Sequence, residues 1–289
     1  MSDERKPELA MNFYRPSRLA EALALKAGEP LRILAGGTDF YPALRDQPVN
    51  FPVLDITAID ELRDIRKDGD DWSIGANVTW TDIQRAKLPV AFEALRQAAH
   101  EVGSLQIQNR ATIVGNLCNA SPAADGIPPL LILNARVEIS SHAGTREKPL
   151  TSFIQGNRKT SLKPNEIVTR ILVPIASAVG NSTFLKLGAR KYLVISIAMV
   201  AARAVMKRQR ITEAAIAIGS CSEVAQRLPQ FENTVIGLTA KELRNLAITP
   251  NMIPELKPID DVRATAIYRK DAAAILTRNA VLAAMGDGQ

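Results

Sequence analysis

Aromatic residues are scarce in this chain, at 4% of 289 positions. Its core must therefore come mostly from alanine and aliphatic side chains. Cysteine occurs twice, as Cys118 and Cys221, far apart and in no CxxC spacing. That excludes a disulfide framework and a four-cysteine iron–sulfur site, and it fits a reduced, cytoplasmic setting. Histidine also occurs twice, as His100 and His142, which excludes a His-rich metal site. No apolar run approaches the ~20 residues of a membrane span. The opening MSDERKPELAMNF is charged and lacks an apolar segment, so neither a signal peptide nor a membrane span is expected. No block of like charge is present, and basic residues are not clustered with aromatics, which argues against nucleic acid as a partner. Internal repeats and low-complexity segments are missing as well.

What remains is 46% hydrophobic, enough for a large core and one to three domains. Lys and Arg outnumber Asp and Glu by 36 to 30, and this dispersed excess suits anionic ligands or an acidic partner surface. Residues 17–30 read as a helix capped by Ser17, with Leu19, Ala22, Leu23 and Lys26 at helical spacing and Gly28 and Pro30 at its end. A strand at 31–35, a Gly-Gly turn and a strand at 53–56 make a small α/β unit. A DGDD turn at 68–71 and the run 72–76 mark a hairpin. Residues 91–102 read as a helix with Phe92, Leu95, Ala98, Ala99 and Val102 on one face. Residues 107–133 carry Asn, Gly and Pro without regular periodicity and read as a long, functional loop. Strands follow at 136–140 and 167–173, then at 182–206 and 211–221 with KRQR turning between them. Helices are expected at 241–247 and 271–285.

Two small-residue polar stretches carry the chemistry. RILAGGTD, 32–39, stops a strand at Gly36-Gly37, where positive φ and close approach to the backbone are available. Helical amides near Thr38 would favour a phosphate. The stretch fits neither GxxxxGK[ST] nor GxGxxG, which argues against a triphosphate site and a Rossmann fingerprint. A plain strand–helix turn reads the same way. ATIVGNLCNASPAAD, 111–125, places Thr112 and Asn116 around Gly115, again with backbone open to phosphate oxygens. A dinucleotide diphosphate needs two such surfaces.

AGGTD at 35–39, RATIVGNLCNASPAAD at 110–125, RKTSLKPNEIV at 158–168, FLKLGARKY at 184–192 and DDVRATAIYRKDAAAILTRNAV at 260–281 together resemble one family. It is the FAD-binding (medium) subunit of the molybdenum hydroxylases, of the xanthine dehydrogenase and carbon monoxide dehydrogenase type. The likeness runs in order from about residue 10 to 285. It implies an α+β fold: a two-subdomain FAD-binding region of vanillyl-alcohol-oxidase (PCMH) type, then a C-terminal domain with a small antiparallel sheet and helices. The expected ranges are 1–176, split at about 57 and 58, and 177–289. It implies FAD, a large molybdenum-cofactor subunit and a small 2Fe-2S subunit in a heterotrimer or its dimer. The complex would hydroxylate an N-heterocycle, an aldehyde or carbon monoxide, and NAD, oxygen or another acceptor would take the electrons.

The resemblance also implies site residues. Arg32, Ile33, Leu34, Ala35, Gly36, Gly37, Thr38 and Asp39 would wrap the diphosphate. Thr112, Ile113, Val114, Gly115 and Asn116 would hold the nucleotide from the other side. Val102 and Val168 would sit beside the flavin, Asp125 would contact FAD, and Lys186 would lie near the ring. One departure stands out, because the family usually has Gly where this chain has Val114. A β conformation pointing away from the ligand would absorb it. Other readings stay open: Asp125 as a helix cap, Lys186 as an exposed strand lysine, Val102 and Val168 as core. Cys118 reads as a packed thiol and His100 as a cap on helix carbonyls. Trp72, Trp80 and Tyr192 read as core aromatics. A stand-alone flavin oxidase, linked through His100 or Cys118, and a cofactor-free assembly module are the rival functions.

Overall fold

The computed structural model describes residues 12–286. The charged opening segment and the outer ends of the expected domain ranges lie outside the described residues. The chain begins with β1 (Phe13–Tyr14), α1 (Leu19–Gly28), β2 (Arg32–Leu34), α2 (Phe40–Leu44) and β3 (Val53–Asp55). These strands form a parallel sheet in the order β1-β3-β2. Ser17 does not cap α1. The helix follows Arg18, and the Leu19 amide donates to Glu61 Oε1 at 2.6 Å. A carboxylate distant in sequence satisfies an amide that a local cap would otherwise take.

The next unit holds β4 (Ile65–Asp68), β5 (Asp71–Gly75), α3 (Trp80–Arg85), α4 (Glu93–Glu101), α5 (Leu105–Gln108), α6 (Ile113–Asn119) and α7 (Ile127–Ile132). It continues with β6 (Arg136–Ser141), β7 (Gly144–Pro149), α8 (Leu150–Phe153), β8 (Ile154–Gly156), β9 (Lys159–Thr160) and β10 (Ile167–Pro174). Five strands make one antiparallel sheet, β4-β5-β10-β6-β7. Central β10 is buried along most of its length, whereas the edge strand β7 reads GTREKP, and its charges discourage further pairing.

Residues 107–133 are not an irregular loop. Thr112 caps α6, and Pro128 and Pro129 sit in the first turn of α7, where a missing amide costs no hydrogen bond. His100 is exposed, and among the described residues its ring caps nothing. The last carbonyls of α4 are taken instead by Gln84 (to Ala99), Gln108 (to His100) and Lys186 (to Glu101).

The last unit comprises β11 (Asn181–Leu187), β12 (Ala198–Lys207), β13 (Arg210–Gly219), β14 (Gln226–Arg227), α9 (Pro229–Val235), α10 (Ala240–Asn245) and α11 (Ala266–Ala284). Its four strands are antiparallel in chain order. Arg208 and Gln209 both take positive φ in the hairpin expected at KRQR. The final helix begins at Ala266 rather than Asp271, because the Thr265 side chain accepts the Tyr268 amide.

Strand alternation makes this sheet a shared wall. Met199, Ala201, Ala215 and Ala217 face the core of the preceding units, while Val200, Ala202, Ile216 and Ile218 face a second core with α9, α10 and α11. Polar contacts fasten the same boundary. Arg203 donates to the Ile132 carbonyl and Arg227 to that of Leu131, capping the end of α7 from the other unit. Gln97 Oε1 accepts the Phe184 amide, and Ser182 Oγ accepts that of Ala94. No helix among the described residues is long and apolar enough to cross a membrane.

Candidate functional site

A cavity of about 690 Å³ lies between the parallel sheet, α6 and the 158–168 segment. Gly37 and Gly115 line this one cavity, together with Ile33, Ala35, Gly36, Thr38, Asp39, Val102, Thr112, Val114, Asn116 and Val168.

Its first wall is the turn after β2. A Cβ at Gly36 would stand 2.1 Å from the Arg110 carbonyl oxygen, so only glycine lets the two segments lie together. Gly37 has φ +77°, a left-handed conformation, with the Tyr41 ring against it. Helix α2 starts at Phe40, with Asp39 at its N-cap but making no side-chain cap. Among the described residues, the amides of Gly36, Gly37 and Thr38 have no protein acceptor. Successive unpaired amides around a left-handed glycine form a concave anion site.

The second wall is the start of α6. Thr79 and Thr112 form a β-bridge, the Ile113 amide donates to Val78, and the Trp80 amide donates to Ala111. Thr112 Oγ1 accepts the Gly115 amide at 3.0 Å, and the Thr112 carbonyl accepts that of Asn116. The expected openness of the Gly115 backbone is therefore largely consumed by the cap. The Val114 amide is left without an acceptor among the described residues. Val114 is helical, not β, and its negative φ tolerates a Cβ, so the departure from glycine carries no backbone strain here.

Two further polar atoms on the lining residues have no partner among the described residues: Trp80 Nε1, on a fully buried side chain, and Asn116 Oδ1. Gly126 makes room for both residues, since a Cβ there would meet the Trp80 ring at 2.5 Å and Asn116 Oδ1 at 2.9 Å. Sequence reading passed over Trp80 as a core aromatic. Nothing local signals that its N–H is left unpaired.

Five expected site residues lie off the lining. Arg32 is exposed, with its guanidinium 3.7 Å from the centre of the Phe51 ring, while Leu34 and Ile113 are core. Asp125 and Lys186 form a buried ion pair at 2.7 Å, and Ser196 Oγ donates to the other Asp125 oxygen at 2.8 Å. Neither alternative for these two holds: Asp125 caps no helix, and the Lys186 side chain is 7% exposed. Burial pushes the Asp125 carboxyl above the usual carboxylate range, and the Lys186 ammonium pulls it part of the way back.

The 158–168 segment closes the cavity with Arg158, Leu162, Lys163 and Glu166. Arg146 holds Glu166 through two bonds of 2.9 and 2.8 Å, and the Lys163 amide adds a third at 2.8 Å. That pairing holds the Glu166 carboxyl below its ordinary value and neutralises it. Arg158 and Lys163, both exposed, bring two positive charges to the lining, against the single exposed carboxylate of Asp39. Cys118 also lines the wall, and burial pushes its thiol up to about 12, so it is protonated and unreactive at neutral pH.

Residues 9–176 match the FAD binding domain in molybdopterin dehydrogenase. The chain belongs to that family. Residues 183–284 match the CO dehydrogenase flavoprotein C-terminal domain. The xanthine dehydrogenase FAD-binding subunit of Escherichia coli O157:H7 is 30% identical, over 93% of this chain and 94% of that one. The glyceraldehyde dehydrogenase medium chain of Sulfolobus acidocaldarius is 29% identical, over 93% of this chain and 96% of its own. Quinoline 2-oxidoreductase from Pseudomonas putida 86 superposes with a TM-score of 0.85 at 26% identity, covering 98% of this chain and all (100%) of that one. This flavoprotein subunit is thus an oxidoreductase component whose cofactor is FAD. The cavity suits such a group, because the unpaired amides of Gly36, Gly37, Thr38 and Val114 can hold phosphate oxygens.

Proposed function

We propose that this chain is the electron-transfer flavoprotein of a molybdenum hydroxylase complex. Gly36, Gly37 and Thr38 would hold the FAD diphosphate by their amides, with the Val114 amide contributing from the second wall and Asn116 and Trp80 shaping that wall. The remaining expected contacts, Ile33, Ala35, Asp39, Val102, Thr112, Gly115 and Val168, would shape the surrounding surface. Asp125 and Lys186 would act one step removed, by fixing β11 against the segment that leaves α6. When bound, FAD supplies two-electron chemistry, filled from 2Fe-2S clusters of a small partner and emptied to NAD, oxygen or another acceptor. This chain's own work is to hold the cofactor, keep one edge reachable and exclude competing reactions. Residues 1–176 and 177–289 would be its working units.

The carrying observation is the run of unpaired amides at Gly36–Thr38 on the same cavity as the Val114 amide. The relatives' names, "FAD-binding subunit" and "medium chain", support a multi-subunit assembly. A stand-alone oxidase linked through His100 or Cys118 has less support. His100 does not line the cavity, and the Cys118 thiol is not activated. A cofactor-free module loses its one argument, since Val114 fits its helix without strain. The test is affinity purification of the tagged chain from its native host, with flavin, iron and molybdenum analysis. Equimolar FAD with both metals is expected. A yellow chain that brings down neither metal would overturn the assembly, and a colourless chain that ignores added FAD would overturn the reading altogether.

A further inference from the structure

The walls that would receive an anionic diphosphate carry one buried carboxylate. Glu166 lines the cavity and is 5% exposed, whereas Asp39, the other acid on the lining, is exposed. A bare carboxylate there would repel phosphate oxygens, and inside a protein that repulsion is weakly screened. Its two oxygens are instead taken by Arg146, from Nε at 2.9 Å and from Nη2 at 2.8 Å, in a two-pronged pair. Arg146 lies in the edge strand β7, opposite Ile139 of β6, and does not line the cavity.

The same carboxylate shapes the wall. Glu166 Oε2 also accepts the Lys163 amide at 2.8 Å, and the Lys163 carbonyl accepts the Glu166 amide at 3.1 Å, which folds residues 163–166 into a turn. Arg146 Nη2 reaches the Ser161 carbonyl as well, at 3.4 Å. Arg146 therefore holds both ends of the segment 161–166, whose Leu162 and Lys163 also line the cavity. Glu166 is useful as a clasp for this segment, and its charge is a liability beside an anion. The guanidinium removes the liability and keeps the clasp.

We infer that Arg146 is a positioning residue for FAD: from outside the cavity it cancels the Glu166 charge and so lets the anionic cofactor lie against this wall. The inference rests on the FAD reading above. The experiment measures equilibrium FAD binding to the flavin-stripped chain at pH 8, where a carboxylate is ionised, alongside thermal unfolding without FAD. The proteins are wild type, Arg146→Met, Arg146→Lys and the double variant Arg146→Met with Glu166→Gln. Methionine leaves the Glu166 carboxylate bare, so a loss of FAD affinity on the order of tenfold or more is expected. Lysine keeps a counter-charge without the fork and should lose less. The double variant has no carboxylate left to repel the cofactor, and it should regain most of what methionine alone loses.

Wild-type FAD affinity in Arg146→Met would overturn the proposal. A loss that Glu166→Gln does not relieve would reduce Arg146 to a strut for the 161–166 segment, which also overturns it. Should Arg146→Met not fold, Arg146→Lys decides in its place: affinity near that of the wild type supports the counter-charge, and a tenfold loss refutes it. Wild-type protein that binds no FAD would instead sink the functional reading, so the two failures are told apart by the wild-type arm.

Discussion

Replacing Gly36 by alanine puts the smallest possible side chain where two walls of the cavity touch. The new Cβ would lie 2.1 Å from the Arg110 carbonyl oxygen and 2.8 Å from Ala111 Cα. Ordinary carbon–oxygen approach is ~3.3 Å or more, so the segments must part by about 1.2 Å. Both contacts are backbone, and no rotamer change can relieve them. Without ligand the walls can separate at modest cost, but FAD needs both at once, so the penalty falls on binding. An overpacking cost of about 1–3 kcal/mol corresponds to roughly a five- to 150-fold weaker Kd. Thermal unfolding with and without FAD reads this directly. At one hundred times the wild-type Kd, FAD stabilises by about 2.7 kcal/mol, whereas a hundredfold weaker variant keeps about 0.4 kcal/mol. Gly28→Ala is the control, because nothing lies within 4 Å of the Cβ it would add. The reasoning fails if Gly36→Ala shows the FAD-dependent shift of that control.

Lys186→Met leaves the Asp125 carboxylate buried beside Ser196 alone, and both side chains of the pair are under 10% exposed. A loss of about 3–5 kcal/mol in urea unfolding is expected, and a loss below about 1 kcal/mol would show that the pair does not join the units. Glu166 gives the pH dependence. Its folded value is depressed, first by Arg146, below the ordinary 4.5. The stabilisation is therefore complete above that value and is lost as the pH falls through the depressed one. Unfolding midpoints of Glu166→Gln should accordingly fall less steeply with acidification than those of the wild type, and parallel curves would count against the assignment.

Much of the site's location was legible in the chain. Gly36-Gly37 after an apolar strand and Thr112 three residues before Gly115 announced two backbone turns, and both stand on one cavity. Hairpins at DGDD and KRQR were legible too, since turn chemistry is local. The helices inside 107–133 were not, because a proline in a first turn looks the same as a proline in a loop until the neighbouring elements are placed. Asp125 and Lys186 were each singled out, yet their pairing joins positions 61 residues apart in the chain, and no local pattern carries that information.

Composition, the two glycine-bearing turns and the order of five motifs follow from the chain itself, because they depend on backbone freedom and local spacing. Which amides remain unpaired depends on how distant segments exhaust each other's hydrogen bonds. Only the folded arrangement decides that: a donor is spare or spent according to what tertiary packing brings against it.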